Sequence, residues 1–272
     1  MRASLLRFWL AVCALSNHML LALDAGNTNI TIGVFEGAKL THRWRLRTVH
    51  EQTEDEWGIL LRNLFSLDGL ELNEVEAVIV SSVVPPLNPT LAAMSQRYFH
   101  REPRFVTSDM DTGLRILYDN PREVGADRIV NSVAAFAKYG GPCVVVDLGT
   151  AITFDCVSAK AEYLGGIICA GIGISIDALF TRTAKLPKVD FREPEQLIGK
   201  NTVGSIQSGL YYGALGMIDG ILQRLMADMG GNAKAVATGG QARLITTGSR
   251  YLTEADEDLT LEGLRLIWER TR

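Results

Sequence analysis

The sequence predicts an α/β fold built from two similar halves, each a mixed sheet with helices packed on it. Three observations point there. The stretch Leu21-Ala-Leu-Asp24-Ala-Gly26-Asn27-Thr28 returns loosely as Val145-Val-Asp147-Leu-Gly149-Thr150, an apolar run, Asp, one residue, Gly and a hydroxyl or amide residue. Each copy is followed by two further strand-like segments, so an order of elements is repeated as well as a motif. The chain has 272 residues, 47% hydrophobic and 21% charged, enough for a sizeable core in one large domain or two ordinary ones.

In the first half, Leu20–Leu23, Ile30–Phe35 and Leu40–Leu46 read as strands. Thr53-Glu54-Asp55-Glu56 has the form of a capping box and opens an amphipathic helix through Trp57, Leu60, Leu61 and Leu64. Ala77–Val84 is a buried strand stopped by Pro85-Pro86, followed by a helix around Leu91–Tyr98 and a strand at Arg104–Val106. Residues 107–126 read mostly as loop. Helical periodicity resumes from Ala126 to Tyr139 and ends at Gly140-Gly141-Pro142. Strand Val144–Val146, a hairpin through Ile152–Val157 and Tyr163–Ile168 then repeat the opening pattern. A long helix over Val203–Leu225 and a strand at Ala233–Ala237 close the second half. The halves are expected at 19–122 and 123–272. In the long helix, Gly209, Gly213, Gly216 and Gly220 make a small-residue groove, packed in the core or against a twin subunit.

The net charge of −4 provides no broad basic field, which disfavours a nucleic-acid partner. Cys13, Cys143, Cys156 and Cys169 form no CxxC or Cys/His cluster, so buried thiols in a reducing compartment are expected, with no zinc site. Residues 1–18 resemble a signal peptide but are too short to span a bilayer. Met19 directly precedes the first strand, so 1–18 are expected to be an extension outside the fold of a cytoplasmic protein without a membrane partner. The four histidines form no grouping.

A Gly turn after a buried strand leaves backbone N–H groups and short polar side chains exposed, a setting for phosphate oxygens. A carboxylate there repels phosphate unless a cation lies between, so Asp24 and Asp147 are expected to hold a metal ion or position a water, with Thr28 and Thr150 offering hydroxyls. An Asp at such a turn is often only a backbone cap, but here it occurs twice. Gly125-Ala126-Asp127-Arg128 opens the middle helix. Asp127 suits a helix start, where the field favours the ionised form and a base for a hydroxyl proton. Arg128 could clamp a carboxylate or phosphate. Gly165-Gly166 and Ala170-Gly171-Ile-Gly173 suggest backbone crowding, and Thr238-Gly239-Gly240 is placed where doubly wound halves bind adenosine.

Together, Asp24-Ala-Gly-Asn-Thr-Asn, Gly125-Ala-Asp-Arg128, Val146-Asp-Leu-Gly-Thr-Ala151, Thr183-Ala-Lys-Leu-Pro187, Ala237-Thr-Gly-Gly240 and Leu259-Thr-Leu-Glu-Gly263 resemble the type III pantothenate kinases. These lie within the actin/Hsp70/hexokinase-like ATPase superfamily, and the resemblance runs from about Met19 to the C-terminus. It implies two duplicated ribonuclease-H-like lobes, ATP-dependent phosphorylation of pantothenate as the first step toward coenzyme A, and a homodimer with its active site between the lobes. It implies Asp127 as the base; Tyr118, Gly125, Ala126, Asp127, Arg128 and Thr183 as substrate contacts; and Asp24, Ala25, Gly26, Asn27, Thr28, Asn29, Ile30, Thr31 and Thr150 as ATP contacts. It also implies a monovalent cation (K⁺ or NH₄⁺) at Asp147, and Mg²⁺ with ATP. Ala170 stands where the family usually has Pro, which leaves the segment less rigid. The rival expectations are another small-molecule kinase or phosphatase on this fold, or a transcription accessory factor.

Overall fold

The computed structural model describes residues 19–272; the extension expected at 1–18 lies outside the described residues. The chain forms two compact units, one ending at Val106 and one running from Thr107 to Arg272.

The first unit opens with an antiparallel meander, β1 (Met19–Ala25), β2 (Asn29–Glu36) and β3 (Lys39–Arg47). Helix α1 (Glu54–Leu67) follows, then β4 (Val75–Ser82), α2 (Asn88–Met94) with a π turn over Ser95–Phe99, and β5 (Arg104–Phe105). β4 lies parallel to β1 and β5 parallel to β4, giving the order β3-β2-β1-β4-β5. The expected capping box is formed: the Thr53 hydroxyl accepts the Glu56 N–H, and the Glu56 carboxylate accepts the Thr53 N–H at 2.8 Å. Leu21, Leu23 and Ala25 alternate onto one face of the sheet, where Trp57, Leu61 and Phe65 of α1 and Leu91 and Met94 of α2 cover them.

The second unit contains β6 (Arg115–Ile116), α3 (Ala126–Tyr139), β7 (Cys143–Leu148), β8 (Ala151–Val157) and β9 (Glu162–Ala170). After these come α4 (Ile172–Arg182), α5 (Thr202–Asp228), β10 (Lys234–Thr238), α6 (Ala242–Thr246), β11 (Glu254–Ala255) and α7 (Leu259–Thr271). The sheet order is β11-β10-β7-β8-β9-β6. Its first five strands, read from β9, repeat the order and directions of the first unit, so the duplication expected from the motif extends to the whole sheet. The addition is β6, which pairs in parallel with the outer edge of β9 through Arg115↔Glu162 and Ile116↔Tyr163. That pairing draws residues 107–122 into the second unit, which places the boundary ahead of the expected 122/123.

β7 is buried on both faces. Val144, Val146 and Leu148 meet Tyr211, Ile218 and Leu222 of α5, whereas Cys143 and Val145 meet Ala134 and Ala135 of α3 and Leu259 of α7. A strand covered on both sides reads as a continuous apolar run, which is why Val144–Val146 shows no alternation. Burial pushes the thiols of Cys143 and Cys156 up to about 11 and about 12, so they act as small apolar fillers. The glycine stripe of α5 is not core: a Cβ at Gly209, Gly213 or Gly216 would meet nothing within 4 Å. Among the described residues, no helix is long and apolar enough to cross a membrane.

Candidate active site

Each Asp-bearing turn is the first hairpin of its unit's antiparallel meander, β1–β2 in one and β7–β8 in the other. Asp24 pairs with Thr31 on β2 and Ser81 on β4, and the Gly26 N–H donates to the Asn29 carbonyl at 3.0 Å. Asp147 pairs with Thr153 on β8 and Thr238 on β10, and the Gly149 N–H donates to the Ala151 carbonyl at 3.1 Å. Both aspartates therefore occupy one position of one sheet pattern, with a hydroxyl residue beside each on both neighbouring strands. The second turn is shorter by one residue, since Asp24 to Thr31 is seven positions (31 − 24) and Asp147 to Thr153 is six (153 − 147). Thr48 braces the first turn, donating its hydroxyl to the Gly26 carbonyl at 2.6 Å and its N–H to the Thr28 carbonyl at 3.0 Å. Asn27 and Thr28 are exposed at the tip. Ala25 and Ile30 are 0% and 1% exposed, so their side chains belong to the core and the ATP contact expected of them would be made by backbone. Ala126 is likewise buried.

In the second unit, α3 starts at Gly125 without a side-chain cap, and Asp127 Oδ1 instead accepts the Arg128 N–H at 2.7 Å. The helix-start role of Asp127 thus uses one carboxylate oxygen and leaves the other. Burial raises the Asp127 pKa against the pull of that bond and of the Arg128 charge, where the helix field alone would have lowered it. A carboxylate held this way is a stronger base than a surface aspartate.

The Arg128 side chain turns onto the sheet. Its Nε donates to Asp155 Oδ1 at 2.7 Å, and the same oxygen accepts the Tyr163 hydroxyl at 2.8 Å. The Thr153 hydroxyl donates to Asp155 Oδ2 at 2.9 Å. The Arg128 guanidinium lies 5.8 Å from the centre of the Tyr163 ring, and Tyr118 packs against Tyr163 with centroids 6.4 Å apart. The Arg128 and Asp155 side chains are 8% and 0% exposed, a buried ion pair. Within it, Arg128 Nη2 is buried with no hydrogen-bond partner. A buried donor without an acceptor is costly, so this nitrogen is open to an acceptor from a ligand. Gly166 makes room for it: a Cβ there would lie 2.7 Å from Nη2 and overlap the Phe154 carbonyl oxygen. The adjacent Gly165 sits at φ +116°, a conformation side chains disfavour, beside the Tyr118 ring.

Asp147 ends β7 close to this cluster. Its Oδ2 accepts the Asn131 amide at 3.1 Å. Burial, then the charges of Asp127 and Asp155, push its pKa up to about 7. Negative neighbours that raise the Asp147 pKa favour a cation beside it. Around Asp147 Oδ1 the wall is bare backbone: a Cβ on Gly239, at φ +90°, would lie 2.6 Å from it, and one on Gly149 3.4 Å. Among the described residues, no three His, Cys, Asp or Glu side chains form a metal cage. A cation at Asp147 would therefore share this carboxylate with backbone or ligand oxygens.

The structure brings Tyr118, Gly125, Asp127, Arg128 and Asp147 together in the second unit, whereas Asp24 to Thr31 belong to the first. Thr183 is exposed at the end of α4, and its hydroxyl donates to the Leu179 carbonyl at 2.6 Å. Sequence reading missed Asp155, Tyr163 and Asn131. Asn131 left a signal, an amide four residues after Asp127 within an apolar stretch, and so on the same helix face. Asp155 left little, since an alternating hairpin strand accommodates it as an outward polar residue.

The family model described as type III pantothenate kinase matches residues 20–224. The type III pantothenate kinase of Solibacter usitatus (strain Ellin6076) is 68% identical over 252 residues, covering 93% of this chain and 97% of that protein. That of Koribacter versatilis (strain Ellin345) is 55% identical over 264 residues, covering 93% and 96%. Among solved structures, the activator of the 2-hydroxyisocaproyl-CoA dehydratase from Clostridium difficile, with bound ADPNP, superposes with a TM-score of 0.55 at 10% identity, covering 93% of this chain and 94% of that one. Likeness at that identity speaks to fold alone, that of a two-domain actin-like ATPase. The match to relatives across nearly their whole length goes further: this chain belongs to the type III pantothenate kinase family.

Proposed function

We propose that the chain transfers the γ-phosphoryl group of ATP to the hydroxyl of pantothenate, giving 4′-phosphopantothenate, the first step of coenzyme A biosynthesis. The observation that carries this reading is the unpartnered Arg128 Nη2, buried beside the base candidate Asp127. An acceptor with a carboxylate at one end and a primary hydroxyl at the other suits that pair. Arg128 holds the anionic end, with Tyr118 and Tyr163 walling the site, and Asp127 accepts the proton. As the acceptor oxygen bonds to the γ-phosphorus, the bond to the β,γ-bridging oxygen breaks and ADP leaves. The Asp24 and Asp147 turns, with Thr28 and Thr150, are assigned to nucleotide phosphates. K⁺ or NH₄⁺ at Asp147, and Mg²⁺ with ATP, would supply charge neutralisation when bound. Asp147 fits a cation ligand by its crowded negative surroundings and glycine wall.

Coupled measurement of ATP consumption should show turnover with pantothenate that rises with potassium. Transfer to short sugars or acetate, and none to pantothenate, would replace this reading with that of another kinase on the same fold. We also assign a homodimer and a cytoplasmic location, where ATP is made. Ile174, Leu179 and Phe180 of α4 and Val203 of α5 are exposed, as are Leu197 and Ile198 before α5. The open glycine stripe adds a surface for close helix approach. Sedimentation equilibrium should return twice the chain mass, and the monomer mass would remove the dimer.

A further inference from the structure

The buried amide of Asn131 joins Asp147 to the C-terminal helix. Asn131 is 1% exposed and lies one helical turn after Asp127 on α3. Its Nδ2 donates to Asp147 Oδ2 at 3.1 Å, and its Oδ1 accepts the Thr260 hydroxyl of α7 at 2.7 Å. The chain of bonds has one sense. With the amide reversed, its oxygen would face a carboxylate oxygen, acceptor against acceptor. The Asp147 carboxylate therefore fixes the sense of the amide, and the Thr260 hydroxyl, donating to Oδ1, holds the amide in place from the other side. α7 is held close enough to do this because Gly263 has no side chain: a Cβ there would overlap the Val130 carbonyl oxygen of α3. One Asp147 oxygen is thus fastened, and the other is left beside the bare backbone of Gly149 and Gly239.

We propose that Asn131 and Thr260 are positioning residues for phosphoryl transfer, the Thr260–Asn131–Asp147 chain setting the rotamer in which Asp147 meets its cation. The inference rests on the reading of Asp147 as cation ligand given above. Groups that orient a metal ligand from behind are the ones whose loss weakens the site without touching the metal.

Thr260→Val keeps the shape and removes the donor, whereas Thr260→Ser keeps the donor. Two potassium titrations are compared, one of initial rate at saturating ATP and pantothenate and one of the melting temperature without turnover. Thr260→Val should raise the half-saturating potassium concentration on the order of tenfold in both. Its KM for pantothenate should stay within about twofold of wild type, because no substrate contact is removed. Thr260→Ser should titrate like wild type. A wild-type titration for Thr260→Val, or an equal defect in Thr260→Ser, overturns the inference, the second outcome meaning that Thr260 only packs. Should Thr260→Val fail to fold, Asn131→Ser carries the same comparison. Asp147→Asn separates the two levels. If it keeps the wild-type potassium response, the cation reading itself fails. If it loses that response while Thr260→Val keeps it, only the positioning role fails.

Discussion

Replacing Asp127 by asparagine should lower kcat by roughly two to four orders of magnitude, the usual scale for a positioned general base. The substitution is nearly isosteric. Its side-chain oxygen can still accept the Arg128 N–H that Asp127 Oδ1 takes at 2.7 Å, so the helix start should survive. ATP binding and thermal stability should therefore stay near wild type while turnover collapses, and wild-type-like activity would remove Asp127 as the base. The pH profile gives a second readout. Asp127 must be ionised to accept a proton, and burial raises its pKa. Activity should accordingly fall on the acid side at a pH above the ordinary aspartate range, and the variant should lose that limb. A limb at the pH of a surface carboxylate would show that burial does not govern this group.

Asp155→Asn should be the most damaging change to stability. Asp155 is 0% exposed and collects donors from Arg128, Tyr163 and Thr153. The neutral variant leaves the Arg128 charge buried without its counter-ion. Breaking one side of such a pair costs about 3–5 kcal/mol, since the remaining charge keeps its desolvation penalty and loses its attraction. Urea unfolding should register that loss, and KM for pantothenate should rise in whatever fraction folds, because Arg128 is no longer held. A midpoint unchanged from wild type would mean that the ion pair contributes nothing beyond its neutral hydrogen bonds.

Most of the architecture was legible because strands buried on one or both faces leave strong apolar runs. Leu20–Leu23, Ala77–Val84 and Val144–Val146 each announced a strand, and the repeated Asp-x-Gly turn announced the duplication. What escaped notice was short or ambiguous. β6 and β11 are two residues each and went unread, whereas β5, equally short, was read at Arg104–Val106. α4 lay behind Gly171 and Gly173, which suggested backbone crowding; a Cβ on Gly171, the residue before the helix, would indeed overlap the Thr150 carbonyl oxygen, but Gly173 lies in open space within the first turn of α4. α7 was noticed only as the motif Leu259–Gly263, although Leu261, Leu264 and Ile267 bury one face of a helix. In the site, residues beside glycines were found because glycine turns are conspicuous. Asp155 was not, because its ion-pair partner Arg128 is distant in sequence; Asn131 left only its spacing from Asp127, and Thr260 lay within a quoted motif without a role.

Gly33 pairs with Arg43 in the first sheet, and the equivalent pair in the second is Asp155 with Gly166. Where one copy carries a strand arginine opposite a glycine, the other has inverted the arrangement, and an arginine arriving from a helix fills the vacated room. The second copy thus has a hollow at Gly166 where the first has the bulk of Arg43, and on the proposed function that hollow seats the arginine that meets the acceptor. Refilling that hollow would strain the sheet as well as displace Arg128, because a Cβ on Gly166 would overlap the Phe154 carbonyl oxygen of the neighbouring strand.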